Sequence, residues 1–347
     1  MTLAIGLISG GLDSMLAAEL LLRQGIKVQG IFINTGFCMT EHRRKLLNDN
    51  QPKETVTHEA TEVANTLRFP LETINIADKY WDIVLNPKYG YGKNVNPCID
   101  CRIEMLRVAK KVMEERGADF VFTGEVLGQR PMTQHRPTMQ LTEKEAGLEG
   151  RLLRPMSAQL LPPIIAEEEG KIDRDQLLGV HGRSRKTQIQ LAKDWDIEKY
   201  AQPAGGCCFL IDESYSRKLN DLFTYKGKGN FGREEVILLN TGRHIRLSPT
   251  TKLISSRDES EFNYFMRFAS DKITFEALDY PGSIGVADGD FSEEDIETAA
   301  RIIARYGKGR HTESVDIVMK KDGKVLRTIS ATPWPVGDPE LQKLIIS

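Results

Sequence analysis

Apolar and polar positions alternate between two rhythms along this chain. Leu3 to Ile8 is a short apolar run of the kind a buried parallel strand shows. Ser9-Gly10-Gly11 breaks it, and Ser14 to Gln24 then carries an apolar stripe at helical spacing that stops at Gly25. Lys27 to Asn34 returns to the strand pattern. Strand, helix and strand at these lengths predict a right-handed parallel unit, whose ligands sit at the carboxyl ends of the strands. The charged run Glu41 to Asn50 reads as a solvated helix or loop, Ala60 to Leu67 as a helix, and Leu71 to Ile76 as a third strand. Tyr80 to Asn94, with aromatic residues and glycines, predicts a loop over the strand ends. Ile103 to Arg116 is periodic and helical, and Asp119 to Thr123 is a further strand that runs into Gly124-Glu125.

The pattern then loosens. Arg151 to Ala158 and Leu160 to Ile164 form a connection rich in proline. His181 to Trp195 starts basic and becomes an amphipathic helix, and Tyr215 to Phe223 is another helix. Beyond the basic turn at 225–230 the elements shorten. Glu235 to Asn240, His244 to Leu247 and Thr251 to Ser255 read as strands, Glu259 to Phe268 as a helix, and Ile273 to Ala277 and Ser283 to Val286 as strands. Ser292 opens a helix to Tyr306 with a capping box to Asp295. Ser314 to Lys320 and Val325 to Ala331 pair across Asp322-Gly323.

Composition narrows the class. The 347 residues suffice for two domains, and a net charge of −2 makes any nucleic-acid surface a local patch. No signal peptide and no apolar run of membrane-spanning length is visible, so a cytoplasmic protein with no membrane partner is expected. Five cysteines in such a chain argue against a disulfide framework and toward chemistry or a metal. Cys38 stands alone and reads as an idle thiol. A homodimer is left open.

The chemistry concentrates in three stretches. Gly10 and Gly11 let backbone approach a ligand, and the amides of the turn and of the next helix start form an anion site flanked by Ser9 and Ser14. Neither a third spaced glycine nor a Walker lysine is present. Cys98 and Cys101 stand three apart at a helix start, where amides favour thiolate and two sulfurs can share one metal. Cys207 and Cys208 follow Gly205-Gly206. Arg183, Arg185 and Lys186 cluster in a way that suits phosphate from RNA or ATP.

Ser9, Gly10, Gly11, Asp13 and Ser14 together resemble the SGGxDS loop of the PP-loop ATP pyrophosphatase superfamily. Asn96-Pro97, Cys101, Gly117-Ala118-Asp119 and Thr123-Gly124 are similar to the tRNA thiouridylases of that group (2-thiouridylases and 4-thiouridine synthases). Two departures stand out: Cys98, where the common bacterial enzyme often has an acid, and Glu125, where it has histidine. Cys98 points toward relatives that hold an iron–sulfur cluster on three cysteines. Gly242-Arg243-His244, Ser256-Arg257, Asn263, Tyr280-Pro281-Gly282 and Ala299-Ala300 with Tyr306 resemble the RNA-binding domain of ribosome-quality-control (NFACT-type) proteins.

The resemblance implies an α/β, Rossmann-like PP-loop domain over residues 1–170, related to adenine nucleotide α hydrolases. A cysteine-bearing helical extension over 171–224 and a small α+β RNA-binding domain over 225–347 would follow it. It implies ATP on Ser9 to Ser14, Thr123, Gly124 and Arg183, with adenine against the backbone at Phe32 to Asn34 and Mg2+ helped by Asp13. A [4Fe-4S] cluster would take Cys98, Cys101 and Cys207, with Cys208 as substitute for Cys207. Metal-free persulfide chemistry on Cys101 or Cys207, and zinc with Cys208 as fourth ligand, stay open. The expected reaction adenylates a tRNA uridine carbonyl oxygen, releases pyrophosphate and then delivers sulfur. With no further RNA-binding domain expected before Leu3 and no rhodanese-like tail, sulfur is expected from sulfide or an external carrier such as a cysteine desulfurase. RNA grip is expected from the C-terminal domain, where Arg243, Arg246, Arg257, Arg305, Lys308 and Arg310 could form a basic face. Lys88, Lys93, Arg217 and Lys218 are further candidate contacts. The rival readings are a PP-loop enzyme acting on a small molecule and a non-catalytic iron–sulfur RNA-binding protein.

Overall fold

The computed structural model describes residues 1–38, 59–200, 208–267, 272–280 and 282–346. Glu41 to Asn50, Pro203 to Gly206 and Cys207 therefore lie outside the described residues. The chain divides after Cys208 into two compact units.

The first unit is built on five parallel strands: β1 (Leu3–Leu7), β2 (Lys27–Asn34), β3 (Leu71–Asn75), β4 (Phe120–Thr123) and β5 (Leu152–Leu153). Their spatial order is β3-β2-β1-β4-β5. The chain builds outward from β1 to β3, then returns to the other side of β1 with β4. The strand order thus reverses between β1 and β4, where a doubly wound sheet leaves a crevice at its carboxyl edge. Leu7 pairs with Ile31 on one side and Thr123 on the other, so the turns after β1 and β4 start level with each other.

Helices cover both faces, as strands apolar on both sides require. Helix α1 (Leu12–Arg23) buries Met15, Leu16, Ala18 and Leu21 in one core together with α2 (Glu59–Leu67) and residues from 153 to 197. The opposite core joins Ile5, Leu7 and Val121 to Leu106, Ala109 and Met113 of the later cysteine-bearing helix. Between these helices lies α3 (Ala77–Leu85), where the sequence reading placed loop. Asn75 Oδ1 accepts from Ala77 N at 2.9 Å, and Tyr80, Val84 and Leu85 are buried, so capping and an apolar stripe override the loop-like composition. The loop expected from Tyr80 begins only at Asn86. The long helix α4 (Cys98–Arg116) ends at Gly117 in the left-handed region, and α5 (Arg136–Ala146) packs beside it. Helix α6 (Lys186–Asp194) packs on α1.

The second unit opens with α7 (Glu213–Lys226) and α8 (Arg233–Leu238). The strand expected over Glu235 to Asn240 is thus helical. Glu235 accepts from Gly232 N at 2.8 Å and holds the helix start, and the run Val-Ile-Leu-Leu suits either element until that cap decides. Strands β6 (Arg243–Arg246), β7 (Lys252–Ser255), β8 (Ile273–Ala277), β9 (Ile284–Asp288), β10 (Val315–Lys321) and β11 (Lys324–Ala331) form an antiparallel sheet of order β11-β10-β8-β9-β7-β6. Helix α9 (Glu259–Met266) contributes Tyr264 and Phe265 to a small cluster with Val286 and Leu238. Helix α10 (Glu293–Tyr306), capped by Ser292 and Asp295 as the sequence predicts, buries Ala299, Ala300 and Ile303 in the main core of the unit. Asp322 and Gly323, at φ 51° and 74°, close the β10–β11 hairpin. The expected parallel α/β sheet followed by an α+β unit is borne out. Among the described residues no helix is long and apolar enough to cross a membrane.

Candidate active site

The turn after β1 is shaped by two contacts that only glycine permits. Gly10 has φ 85°, and a Cβ there would stand 2.4 Å from Glu59 Cβ and 2.7 Å from Ala60 N. Gly124, in the turn after β4, sits against the start of α1: a Cβ would lie 2.4 Å from Ser14 N and 2.6 Å from the Asp13 carbonyl carbon. The two turns are in contact. Ser14 Oγ donates to Gly11 O at 2.8 Å, and Ser9 Oγ lies 3.3 Å from it and accepts from Gly11 N at 3.4 Å. No side chain caps α1, so its first amides remain for a ligand. On the neighbouring strand β2 continues to Asn34 paired with β3, while β1 pairs only as far as Ile31. The backbone at Phe32 and Asn34 therefore runs beyond the end of β1, beside the turn.

Asp13 is the polar focus. Its Oδ2 accepts from Gln129 Nε2 at 3.0 Å and lies 3.9 Å from Arg185 Nη2. Asp13 Oδ1, Gln129 Oε1 and Arg185 Nε are buried with no hydrogen-bond partner. Three side chains from separate segments thus meet with bonding capacity to spare, which suits a polyanion and its counter-cation. Arg183, two residues earlier on the same basic segment, is exposed. Gly128 explains the convergence: it has φ 77°, a Cβ there would meet His181 Nε2 at 3.0 Å, and Gly182 N donates to Leu127 O at 2.7 Å. The basic segment is thereby laid beside Gln129. Sequence reasoning missed Gln129; its only signal was a polar residue shortly after the second glycine turn.

Cys98 and Cys101 occupy the first turn of α4, both half-buried. Cys101 N donates to Pro97 O at 2.8 Å. Asp100 accepts from Lys88 N at 3.1 Å and Tyr89 N at 3.0 Å, which pins the preceding loop over the helix start. A Cβ on Gly92 of that loop would lie 3.7 Å from Cys98 Sγ and 3.2 Å from Met132 Cε. Next to Cys101, Arg102 Nε meets Glu125 Oε1 at 3.0 Å, and Arg154 Nε meets Glu125 Oε2 at 3.3 Å. Thr123 Oγ1 donates to the same carboxylate at 3.2 Å, so this threonine braces Glu125. Glu125 is 2% exposed. Burial alone would raise its pKa, but Arg102 and Arg154 outweigh that and hold it below the ordinary carboxylate value. One carboxylate thus ties the cysteine turn to the glycine turn that cradles Ser14.

Residues 1–145 match the tRNA methyl transferase HUP domain, and residues 242–343 match the NFACT protein RNA binding domain. The chain joins a HUP domain to an NFACT-type RNA-binding domain. It is 34% identical over 126 residues to the tRNA-specific 2-thiouridylase MnmA of Blochmanniella floridana, covering 34% of this chain and 31% of that protein. With the protein of the same name from Mycoplasmopsis synoviae it shares 27% over 240 residues, 66% of this chain and 59% of the relative. The chain thus spans less than two thirds of the curated relatives it matches. A solved 4-thiouridine synthetase–RNA complex with bound ATP is 19% identical at a TM-score of 0.34 over 56% of this chain and 52% of that one, a likeness too slight to bear on fold or function.

The HUP domain brings the loop residues, Gly124 and the Cys98–Cys101 turn to one sheet edge. It does not bring a third described thiol to them. Cys207 lies outside the described residues, and Cys208 is buried. Among the described residues no three His, Cys, Asp or Glu side chains are placed to hold a metal, so Cys208 does not complete a set with Cys98 and Cys101. Lys88, an expected RNA contact, is held by Glu145 at 2.9 Å, while Lys93 is exposed.

In the C-terminal unit the expected contacts also divide. Lys218 faces inward, 3% exposed, and donates to Leu239 O at 3.2 Å. Burial, aided by Arg257 and Lys252, pushes its pKa down to about 8. Arg217 pairs with Glu213. Within the NFACT domain, Arg246 is held by Asp221 at 2.6 Å and Arg257 by Glu261 at 3.1 Å. Lys218 and Arg246 thus turn into the fold, while Arg217 and Arg257 pair at the surface. Arg243, Arg305, Lys308 and Arg310 of the expected basic face have no such partner among the described residues.

Proposed function

We propose that the chain is an ATP-dependent tRNA sulfurtransferase that activates a uridine carbonyl and replaces its oxygen with sulfur. The observation that carries this reading is the contact of the Ser9–Ser14 turn with Gly124, whose neighbour Glu125 grips the cysteine-bearing helix start. An activation site and a thiol site are thereby fixed to one edge of one sheet. Support for tRNA comes from the thiouridylase relatives and the NFACT domain.

In this reading ATP lays its phosphates on the amides of Ser9 to Ser14, with adenine at the backbone of Phe32 to Asn34. Asp13, whose Oδ1 is buried and unpaired, would hold Mg2+. Arg185 and Gln129 orient Asp13 and offer the remaining donors. The uridine oxygen attacks the α-phosphorus, the bond to the β-phosphate oxygen breaks, and pyrophosphate leaves. Adenylation is needed because oxide is a poor leaving group and AMP a good one. A sulfur nucleophile then adds to the activated carbon and expels AMP. The protein's part is position and charge neutralisation. The sulfur carrier belongs at the Cys98–Cys101 turn, either as a persulfide, whose S–S bond a second cysteine thiol would break by forming a disulfide once AMP has left, or with Cys207 in an iron–sulfur cluster. Iron and acid-labile sulfide in anaerobically purified protein decide between the two; Cys98→Ser should remove both if the cluster is present.

The deciding experiment supplies ATP, a sulfur donor and unmodified tRNA. Pyrophosphate release that depends on tRNA, with retardation of the product tRNA in a mercury-containing gel, is expected. Adenylation of a small molecule without sulfur entering tRNA would support the small-molecule rival instead. tRNA binding with no pyrophosphate release under any condition would leave the non-catalytic one.

A further inference from the structure

Many cations of the second unit pair with its own carboxylates. Lys226 pairs with Glu235 and Asp288, Lys252 with Asp221, Lys272 with Asp288, and Arg327 with Glu293. One place differs. Arg243 lies 4.3 Å over the Tyr306 ring and Arg305 lies 5.9 Å from it. Lys308 and Arg310 follow on the turn that ends α10, both exposed. Arg310 Nε donates to His311 Nε2 at 3.1 Å, and none of the four cations has a carboxylate within 4 Å among the described residues.

The loop after β8 completes this patch. A Cβ on Gly309 would stand 2.9 Å from Tyr280 Cδ2 and Cγ, and one on Gly282 would stand 3.1 Å from Gly307 Cα. The Tyr280 ring therefore lies against a turn that only glycine keeps open. It stays 36% exposed beside Leu278, 60% exposed. Thr312 fixes the turn, its N and Oγ1 both donating to Gly309 O at 3.0 and 2.7 Å. The turn that carries Lys308 and Arg310 is thereby fixed against the Tyr280 ring.

Unpaired cations spaced around an exposed aromatic ring are what a single-stranded nucleic acid needs: charge for phosphates and a flat apolar face for a base. We propose that this patch is where the NFACT domain takes a single-stranded segment of RNA. Arg243, Arg305, Lys308 and Arg310 meet phosphates, and Tyr280 stacks on a base. A duplex fits poorly, because its bases are already stacked and offer Tyr280 no face. The inference rests on the thiolation reading only for the identity of the RNA as tRNA.

The test uses the full chain, a labelled oligouridine and a labelled RNA duplex, with binding read by fluorescence anisotropy over a range of salt. Lys308→Glu/Arg310→Glu should weaken oligouridine binding about tenfold or more and flatten the salt slope by about 1.4, the share of two phosphates on a single strand. Lys321→Glu/Lys324→Glu, the same charge change at the β10–β11 turn, should cost less than about twofold. Tyr280→Ala should cost about fivefold or more and Tyr280→Phe almost nothing. Equal losses in the two charge pairs, a silent Tyr280→Ala, or equal affinity for duplex would each overturn the proposal. Steady-state thiolation separates it from the activity reading. If the patch is right and thiolation wrong, the variants lose RNA affinity although no variant transfers sulfur. If thiolation is right and the patch wrong, they thiolate tRNA with unchanged KM.

Discussion

A methyl group on Gly124 would point at Ser14 N, 2.4 Å away, and neither atom belongs to a flexible side chain. Gly124→Ala must therefore displace the start of α1. Its expected effect is a loss of ATP affinity of about tenfold or more, measured by titration calorimetry. Gly25 is the control. It has φ 74° and nothing within 4 Å, so Gly25→Ala should cost about 1 kcal/mol of stability and leave ATP affinity intact. Gln129 belongs to the same scale. Gln129→Ala removes the 3.0 Å bond to Asp13 and leaves that carboxylate free to turn. Turnover should fall about tenfold or more, as for a lost positioning bond in the transition state, with little change in melting temperature. The Ser-Gly-Gly-x-Asp-Ser pattern was legible in the sequence because backbone amides and glycine turns are local. Gln129 and Arg185 were not, because their role depends on a crossing of distant segments at Gly128 and His181.

At the scale of elements, Glu125 links β4 to α4. Its folded pKa is held below the ordinary value near 4.5, so it contributes stability above that pH, and the contribution is lost as pH falls through the depressed folded pKa. Glu125→Gln removes one of the two carboxylates on buried Arg154, leaving Glu143 at 2.8 Å, and should cost about 2 kcal/mol, with the acid sensitivity below about pH 4.5 reduced. Thermal melting across pH gives both quantities. The same variant should speed alkylation of Cys101 by loosening the first turn of α4, whereas unchanged thiol reactivity would show that Glu125 serves the sheet alone. Element boundaries also show where pattern reading stops. Val236 to Leu239 could be strand or helix by composition, and the Glu235 bond to Gly232 N settles it. Likewise α3 looked like loop until the Asn75 side chain bound its first amide and Tyr80, Val84 and Leu85 were buried.

Over the whole molecule, two units with separate cores should fold separately. A fragment of residues 209–347 is expected to give a cooperative melt of its own, and failure to do so would contradict the separation of cores. That unit also carries buried basic groups. Lys218, at about 8, binds fewer protons folded than unfolded between pH 8 and 10.5, so stability rises with pH across that window. Lys218→Met should raise stability at neutral pH by on the order of 3 kcal/mol and remove most of that rise. His244 is fully buried and held well below 6.5, mainly by burial, with Lys252 and Lys218 adding to it. The stability it contributes is present above pH 6.5 and falls away as pH drops through 6.5 toward its folded value. The fragment should therefore melt lower at pH 5 than at pH 7, and an unchanged melting temperature would contradict the burial of a neutral His244.

By itself the sequence determined the parallel α/β sheet, the phosphate turn at Ser9 to Ser14, the cysteine pair at a helix start and the α+β character of the second half. Each is written in short-range pattern: strand and helix periods, glycine turns, caps and residue spacing. Only the tertiary structure decided that Gly124 closes on Ser14, that Arg185 meets Asp13, and that Lys218 and Arg246 turn into the fold while Arg257 pairs with Glu261. Those outcomes depend on which distant groups come within a few ångströms of one another. Composition counts a cation as charge, but only packing shows whether a carboxylate has already claimed it.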